Sequence, residues 1–259
     1  MSNFVQLEMN GGVAEIVLAH EAKRNALSPE MLNQLDAALD QVSADDAIKV
    51  ILLRSSASVF CAGADLEHLQ EIRNYDYEQN LEDSHAMRRV FDKLMFLPKI
   101  VISLVEGPAL AGGCGLANLA DLVWASDKAT FGFTEVKIGF VPALVSIYLR
   151  KRIRGSVIRE MALTGRILSA TEAQEFGMVN RVVTPDNALD ELRAYAQQLV
   201  ASVSLQSVIM TKSLLLDTHS MPRGEALDYA EDVNARSRMS DDWNKGVTAF
   251  FNKEKPKWD

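Results

Sequence analysis

EGPALAGGCGLANLADLVWASDKATFGFTE, Glu106 to Glu135, decides how the rest of the chain is read. It runs from the end of a buried strand into a small-residue turn, an apolar helix, a second strand and then a lone carboxylate. Ala111, Gly112 and Gly113 make a turn that opens a helix, where the first N–H groups have no partner inside the helix and can be aimed at a developing negative charge. Glu135 follows among Phe131, Phe133, Val136 and Ile138, surroundings that desolvate a carboxylate and raise its pKa toward that of a working acid or base. By itself the pattern is ambiguous. Small residues before a helix also serve close helix packing, and a glutamate in an apolar stretch also serves as a hydrogen-bonded structural residue.

A second segment shifts the balance. Val59, Phe60, Cys61, Ala62, Gly63, Ala64, Asp65 and Leu66 form another small-residue turn between the strand Val50 to Leu53 and a following helix. Two such turns can each supply one N–H to a single carbonyl oxygen.

The phrases KRNALSPEM (Lys23 to Met31), FCAGADL (Phe60 to Leu66), GPALAGGCGLA (Gly107 to Ala117) and FGFTEVKIGFVP (Phe131 to Pro142) together resemble the crotonase family of enoyl-CoA hydratases and isomerases. The resemblance is collinear from the first strand to the final lysines. It implies an α/β fold, a crotonase-like spiral of ββα units with a C-terminal helical region, divided here as residues 1–195 for the spiral and 196–259 for oligomerisation and coenzyme A contact. Family members form homotrimers, often paired into hexamers. The resemblance further implies an acyl-CoA thioester substrate, with coenzyme A part of the substrate and no separate cofactor.

Position by position, the same resemblance implies that the N–H groups of Ala64 and Gly112 hold the thioester oxyanion and that Glu135 handles the α-proton. Arg24, Ala26, Ala62, Asp65 and Leu66 match positions lining the nucleotide and pantetheine arms of coenzyme A, while Phe250 and Lys253 match an aromatic and a lysine that meet adenine and phosphate. Gly115 departs from the pattern, since two-glutamate hydratases carry their first, water-holding glutamate there. Pro142-Ala143-Leu144-Val145 replaces a glycine-rich turn that helps hold water, although Ala143 is expected to offer an N–H. A single glutamate suits isomerases. Against that, GGCGL, ATFGFTEVKIGFVPA and GADLEHLQ resemble a bacterial branch of methylglutaconyl-CoA hydratases, placed in leucine degradation, whose members can carry glycine at this position. Hydration is the favoured expectation and isomerisation the alternative. A noncatalytic acyl-CoA-binding protein is a reading of another class, and the intact Glu135 argues against it.

The length of the chain fits one domain or two, and a boundary between them has to rest on architecture. In 259 residues, 48% hydrophobic, no Pro/Gly/Ser-rich linker or internal repeat interrupts the alternation of strands and helices. A net charge of −8 argues against a nucleic-acid partner, and no apolar run approaches the length of a membrane span. The N-terminus lacks the features of a signal or transit sequence, so the cytoplasm is expected. Cys61 and Cys114 read as packing residues inside the turns. His68 reads as an exposed helical histidine, His20, His85 and His219 as isolated, and Asp121 as a structural hydrogen-bonding residue. No spacing among these residues suggests a metal site.

Local signals place the elements. Phe4 to Met9 and Val13 to Leu18 alternate around Asn10-Gly11-Gly12 as a hairpin, and Ser28 caps a helix that has Pro29 at its first position. Helices are expected over 65–72, 79–96, 143–152, 156–163, 171–175, 187–203, 205–218 and 223–251, the last broken near Ser240, with strands at 48–53, 100–105 and 180–183.

Overall fold

The computed structural model describes residues 3–150 and 152–258. Its first unit is the hairpin of β1 (Val5–Asn10) and β2 (Val13–Leu18), in which Asn10 pairs with Val13. Gly11 and Gly12 are therefore the whole turn, and their φ values of 58° and 84° are the left-handed pair that a two-residue hairpin requires. Helix α1 (Pro29–Ala44) starts where Ser28 accepts a hydrogen bond from the Met31 N–H, and it buries Met31, Leu32, Leu35, Leu39 and Val42 on one stripe.

Strand β3 (Val50–Ser55) then lies parallel to β2. Helices α2 (Leu66–Ile72) and α3 (Tyr77–Met95) lead to β4 (Ile100–Val105), parallel to β3. Next come β5 (Pro108–Leu110), α4 (Gly112–Asn118), β6 (Leu122–Ser126) and β7 (Thr130–Gly132). After α5 (Ala143–Leu149), α6 (Gly155–Thr164), β8 (Ile167–Ser169) and α7 (Ala170–Glu175), the last strand is β9 (Arg181–Val183). Helices α8 (Ala188–Ser202), α9 (Leu205–Asp217), α10 (Arg223–Ser237) and α11 (Asp241–Asn252) complete the chain.

Six strands form one sheet in the order β1-β2-β3-β4-β6-β9, and β5-β7-β8 form a second. Chain segments thus pass from a long strand in the first sheet to a short one in the second and into a helix, which is the ββα repeat. Isolated parallel bridges between Leu27 and Ala64 and between Cys61 and Ala109 extend the second sheet toward the hairpin side. Strand β3 is buried on both faces, as parallel strands usually are: Ile51 and Leu53 face the main core, Val50 and Leu52 the core under α8.

The boundary expected at residue 195 lies beside that second core. The division falls inside α8, and Ala196 is buried beside Val50, Leu104 and Trp124. The spiral body therefore includes all of α8. Beyond it, α9 and α10 bury no residue and α11 buries only Ala249, leaving Leu215, Leu227, Met239, Trp243, Phe250 and Phe251 exposed. Among the described residues no single helix is long and apolar enough to cross a membrane.

Candidate active site

The two small-residue turns touch. Leu110 N–H donates to the Cys61 carbonyl at 2.9 Å, and the N–H groups of Phe60 and Cys61 share the Pro108 carbonyl at 3.0 and 3.2 Å. A β-carbon at Gly113 would lie 2.3 Å from the Cys61 carbonyl oxygen, so only glycine lets α4 start this close to the first turn. On the other side of the contact, Gly63 has φ 93°, and a β-carbon there would lie 2.7 Å from Ala111 Cβ and 3.5 Å from the Gly112 nitrogen. The residue before Ala64 is thus pressed against the Gly112 amide.

Ala111 is held at φ 49°, ψ −126°, a conformation costly for a residue with a β-carbon. Its N–H donates to the Gly132 carbonyl at 2.8 Å, and its own carbonyl accepts from Cys114 and Gly115. That anchorage fixes the backbone that carries the Gly112 N–H at the helix start. The N–H groups of Ala64 and Gly112 donate to no other group among the described residues.

Asn25 organises the flank of the first turn, and the sequence reading passed it over. Buried, with φ 52°, it donates from Nδ2 to Ser55 Oγ and to the carbonyls of Val59 and Phe60, and its Oδ1 accepts from the His20 N–H at 2.7 Å. These bonds fix the loop that carries Arg24 and Ala26. The Arg24 carbonyl accepts from the Ala62 N–H at 3.0 Å, and the Gly63 carbonyl from the Leu27 N–H at 2.7 Å. Asp65 caps α2 by accepting from the N–H groups of Glu67 and His68, and it pairs with Lys23 at 3.0 Å. Burial pushes the Asp65 carboxyl up, but those N–H groups and the lysine outweigh it and hold the pKa below the ordinary value. Arg24, Ala26, Ala62, Asp65 and Leu66 are accordingly brought together around the Ala64 turn, with Leu66 and the Arg24 side exposed.

Glu135 opens the single 3-10 turn that follows β7, tied to the oxyanion turn through the Ala111–Gly132 bond. It is 7% exposed, and its Oε2 is buried without a hydrogen-bond partner. Burial raises its pKa above the ordinary value, its own backbone N–H only partly opposing the effect. Its charge is felt at the Cys114 thiol on α4. Burial pushes the Cys114 thiol well up and the Cys61 thiol up to about 12, far from reactivity, as suits packing residues.

Gly115 is on the same face of α4 as Gly112, one turn on. A β-carbon there would lie 2.5 Å from Val145 Cγ1 and 3.1 Å from Phe91 Cε2. The N–H expected free at Ala143 is not: it donates to the Val141 carbonyl at 2.8 Å across Pro142, whose φ −73° and ψ 60° make an inverse γ-turn. His68 corrects another expectation, being largely buried with Nε2 2.6 Å from Asp83 Oδ1 and Nδ1 3.4 Å from Glu71 Oε2. Asp121 does hold structure, accepting from the Val101 N–H and from Lys212. Phe250 and Lys253 sit at the exposed end of α11, where Phe250 shares a groove with Ser207, Trp243 and Trp258 of the tail. A cavity of about 720 Å³ opens at the far end of α4, by Asn118, Tyr148 and Leu215; its lining includes neither turn nor Glu135, so the site is placed by chemistry and not by volume.

Residues 8–259 match the family model described as enoyl-CoA hydratase/isomerase. The chain is 39% identical over 254 residues to a Thermus thermophilus protein named "Putative enoyl-CoA hydratase", a match covering 98% of this chain and 100% of that one. Among solved structures it is similar to an enoyl-CoA hydratase from Shewanella pealeana, with a TM-score of 0.93, 30% identity and coverage of 98% and 96%. It is also similar to human enoyl coenzyme A hydratase domain-containing protein 3, with a TM-score of 0.92, 28% identity and coverage of 98% and 100%.

Proposed function

The chain belongs to the enoyl-CoA hydratase/isomerase family, and from that premise we propose that it adds water to a 2-enoyl-CoA thioester through an enolate. The observation that carries the reading is the unpartnered, buried Oε2 of Glu135, three residues past the Gly132 carbonyl that anchors the Ala111 turn, together with two N–H groups that donate to no other group among the described residues. Ionised Glu135 takes a proton from water as the water oxygen bonds to the β-carbon. The double-bond electrons move to the carbonyl oxygen, where the N–H groups of Ala64 and Gly112 hold the negative charge. The enolate then collapses, and protonated Glu135 returns the proton to the α-carbon. One carboxylate serves both halves, and burial, by raising its pKa, brings its two protonation states closer in energy than those of an exposed glutamate.

Branched acyl groups of the methylglutaconyl type are the substrate this reading favours. Arg24, Ala26, Ala62, Asp65 and Leu66 would receive coenzyme A as part of the substrate, and Phe250 and Lys253 its adenine and phosphate. The exposed apolar side chains of the tail support assembly as a trimer or a pair of trimers. A second reading, 3-enoyl to 2-enoyl isomerisation, is favoured by two observations: the space beside Gly115 is hydrocarbon, and the Ala143 N–H is already committed. There Glu135 would take the α-proton and return it to the γ-carbon as the double bond moves.

The test is loss of enone absorbance when crotonyl-CoA is mixed with the protein, expected for the parent and absent for Glu135→Gln. Equal absorbance loss by the variant would refute the assignment. A panel that includes methylglutaconyl-CoA and a 3-enoyl-CoA, with products resolved, decides between the two readings.

A further inference from the structure

Gly112 and Gly115 share a face of α4, and the side chains opposite that face are all apolar. Leu27 Cδ1 and Met87 stand over Gly112 at 3.0 and 3.9 Å from where its β-carbon would be, and Phe91 and Val145 stand over Gly115. Met87 and Phe91 are one turn apart on α3, so they form a continuous wall. Val145 is 3% exposed and comes from α5, whose start is fixed by the γ-turn at Pro142. At 2.5 Å from a β-carbon on Gly115, its Cγ1 occupies volume that any side chain at 115 would need. Phe91 behind it is fully buried and has nowhere to retreat. The missing side chain at 115 and the isopropyl group of Val145 are therefore complementary halves of one packing arrangement.

We propose that Val145 is a specificity-determining residue, which closes the position beside Gly115 to a second carboxylate and so keeps Glu135 the sole acid and base of the site. This rests on the enoyl-CoA reading above. In that reading, the α- and β-carbons of a thioester held at the Gly112 N–H lie along this face. Hydrocarbon there holds no water, so water reaches the β-carbon only through Glu135.

The experiment is a double-mutant cycle of Gly115→Glu and Val145→Ala, read by melting temperature and by product-resolved rates with crotonyl-CoA and a 3-enoyl-CoA. Gly115→Glu alone is expected to lower the melting temperature by about 5 °C or more and to slow both reactions. Adding Val145→Ala is expected to restore hydration about ten-fold over that single variant and to raise the ratio of hydration to isomerisation above the parent's. Gly115→Ala with and without Val145→Ala repeats the packing test with a smaller group if the glutamate variant does not fold, and rescue of its melting temperature by Val145→Ala is expected. A double variant no faster than Gly115→Glu, or an unchanged product ratio, or no rescue in the alanine pair, overturns the role of Val145 while leaving an active parent's assignment intact. A parent inactive on every enoyl-CoA overturns the enoyl-CoA reading, and the proposal with it.

Discussion

His68 on α2, three residues downstream of the helix cap Asp65, is held 2.6 Å from Asp83 on α3. Burial pushes the imidazole pKa down, yet the bonds to Asp83 and Glu71 and their charges outweigh it and hold it above the ordinary 6.5. A histidine whose folded pKa is raised contributes stability that is fully present below its unfolded value and is lost as pH rises through the folded one. The parent should therefore exceed His68→Gln in melting temperature by more at about pH 5.5 than at about pH 9. The same difference at both values would show that the pair acts only by packing.

The local parts of this fold were legible, and the long-range ones were not. Gly11-Gly12 and Ser28-Pro29 carry their meaning within four residues, so the hairpin and the start of α1 could be read directly. Glu135 could be singled out because its apolar neighbours are adjacent in the chain. Val145 over Gly115, Asp83 against His68 and Asn25 beneath Phe60 meet across 15 to 35 positions, and no periodicity marks such partners. The three-residue strands β5 and β8 are shorter than the alternation needed to recognise a strand. Burial of the Ala143 N–H in a γ-turn depends on a backbone angle at Pro142 that residue type alone leaves open.

Glu135 gives a stability signature opposite in use to that of a structural carboxylate. Its pKa is raised from 4.5 in the folded state by burial, so its contribution is greatest while it is protonated and is lost as pH rises through the folded value. Replacing it with the neutral Glu135→Gln removes that loss. From about pH 4.5 upward the melting temperature of the variant should gain on that of the parent until the parent's carboxyl is ionised, while its turnover falls by about a thousand-fold or more. A gap that does not change with pH would mean that the carboxylate is ionised at no cost, which the unpartnered Oε2 contradicts.

Lys253 can be tested without disturbing its helix end. It caps α11 at φ 58°, where glycine is at least as comfortable as lysine, so Lys253→Gly removes the charge and keeps the cap. An exposed contact to a phosphate is weak, and KM for a full coenzyme A thioester should rise by only about two- to five-fold. The value for the pantetheine thioester, which lacks that phosphate, should stay the same. Because such a contact acts equally on bound substrate and transition state, kcat should change little. Equal rises in KM for both thioesters would return Lys253 to the solvated tail.

Gly112 and Gly113 are neighbours with different jobs, and the same substitution should separate them. A β-carbon at Gly112 would lie 3.0 Å from Leu27 Cδ1, the end of a flexible side chain that can yield by a few tenths of an ångström. At Gly113 it would lie 2.3 Å from the Cys61 carbonyl oxygen and 2.8 Å from the carbonyl carbon, both backbone atoms in the turn that carries Ala64. Gly113→Ala must therefore push the two turns apart, which misaligns the donors on an oxyanion that both have to reach. Misplacing one donor costs about a hundred- to a thousand-fold in kcat, and overpacking adds about 1–3 kcal/mol of destabilisation. Gly112→Ala should lose less than about ten-fold, since its N–H stays aimed while Leu27 and Met87 shift. Comparing kcat, KM and melting temperature for the two variants checks this ordering. If Gly112→Ala proved the more damaging in kcat with both proteins folded, the space over the donor, and not the contact between the turns, would set the geometry of the site.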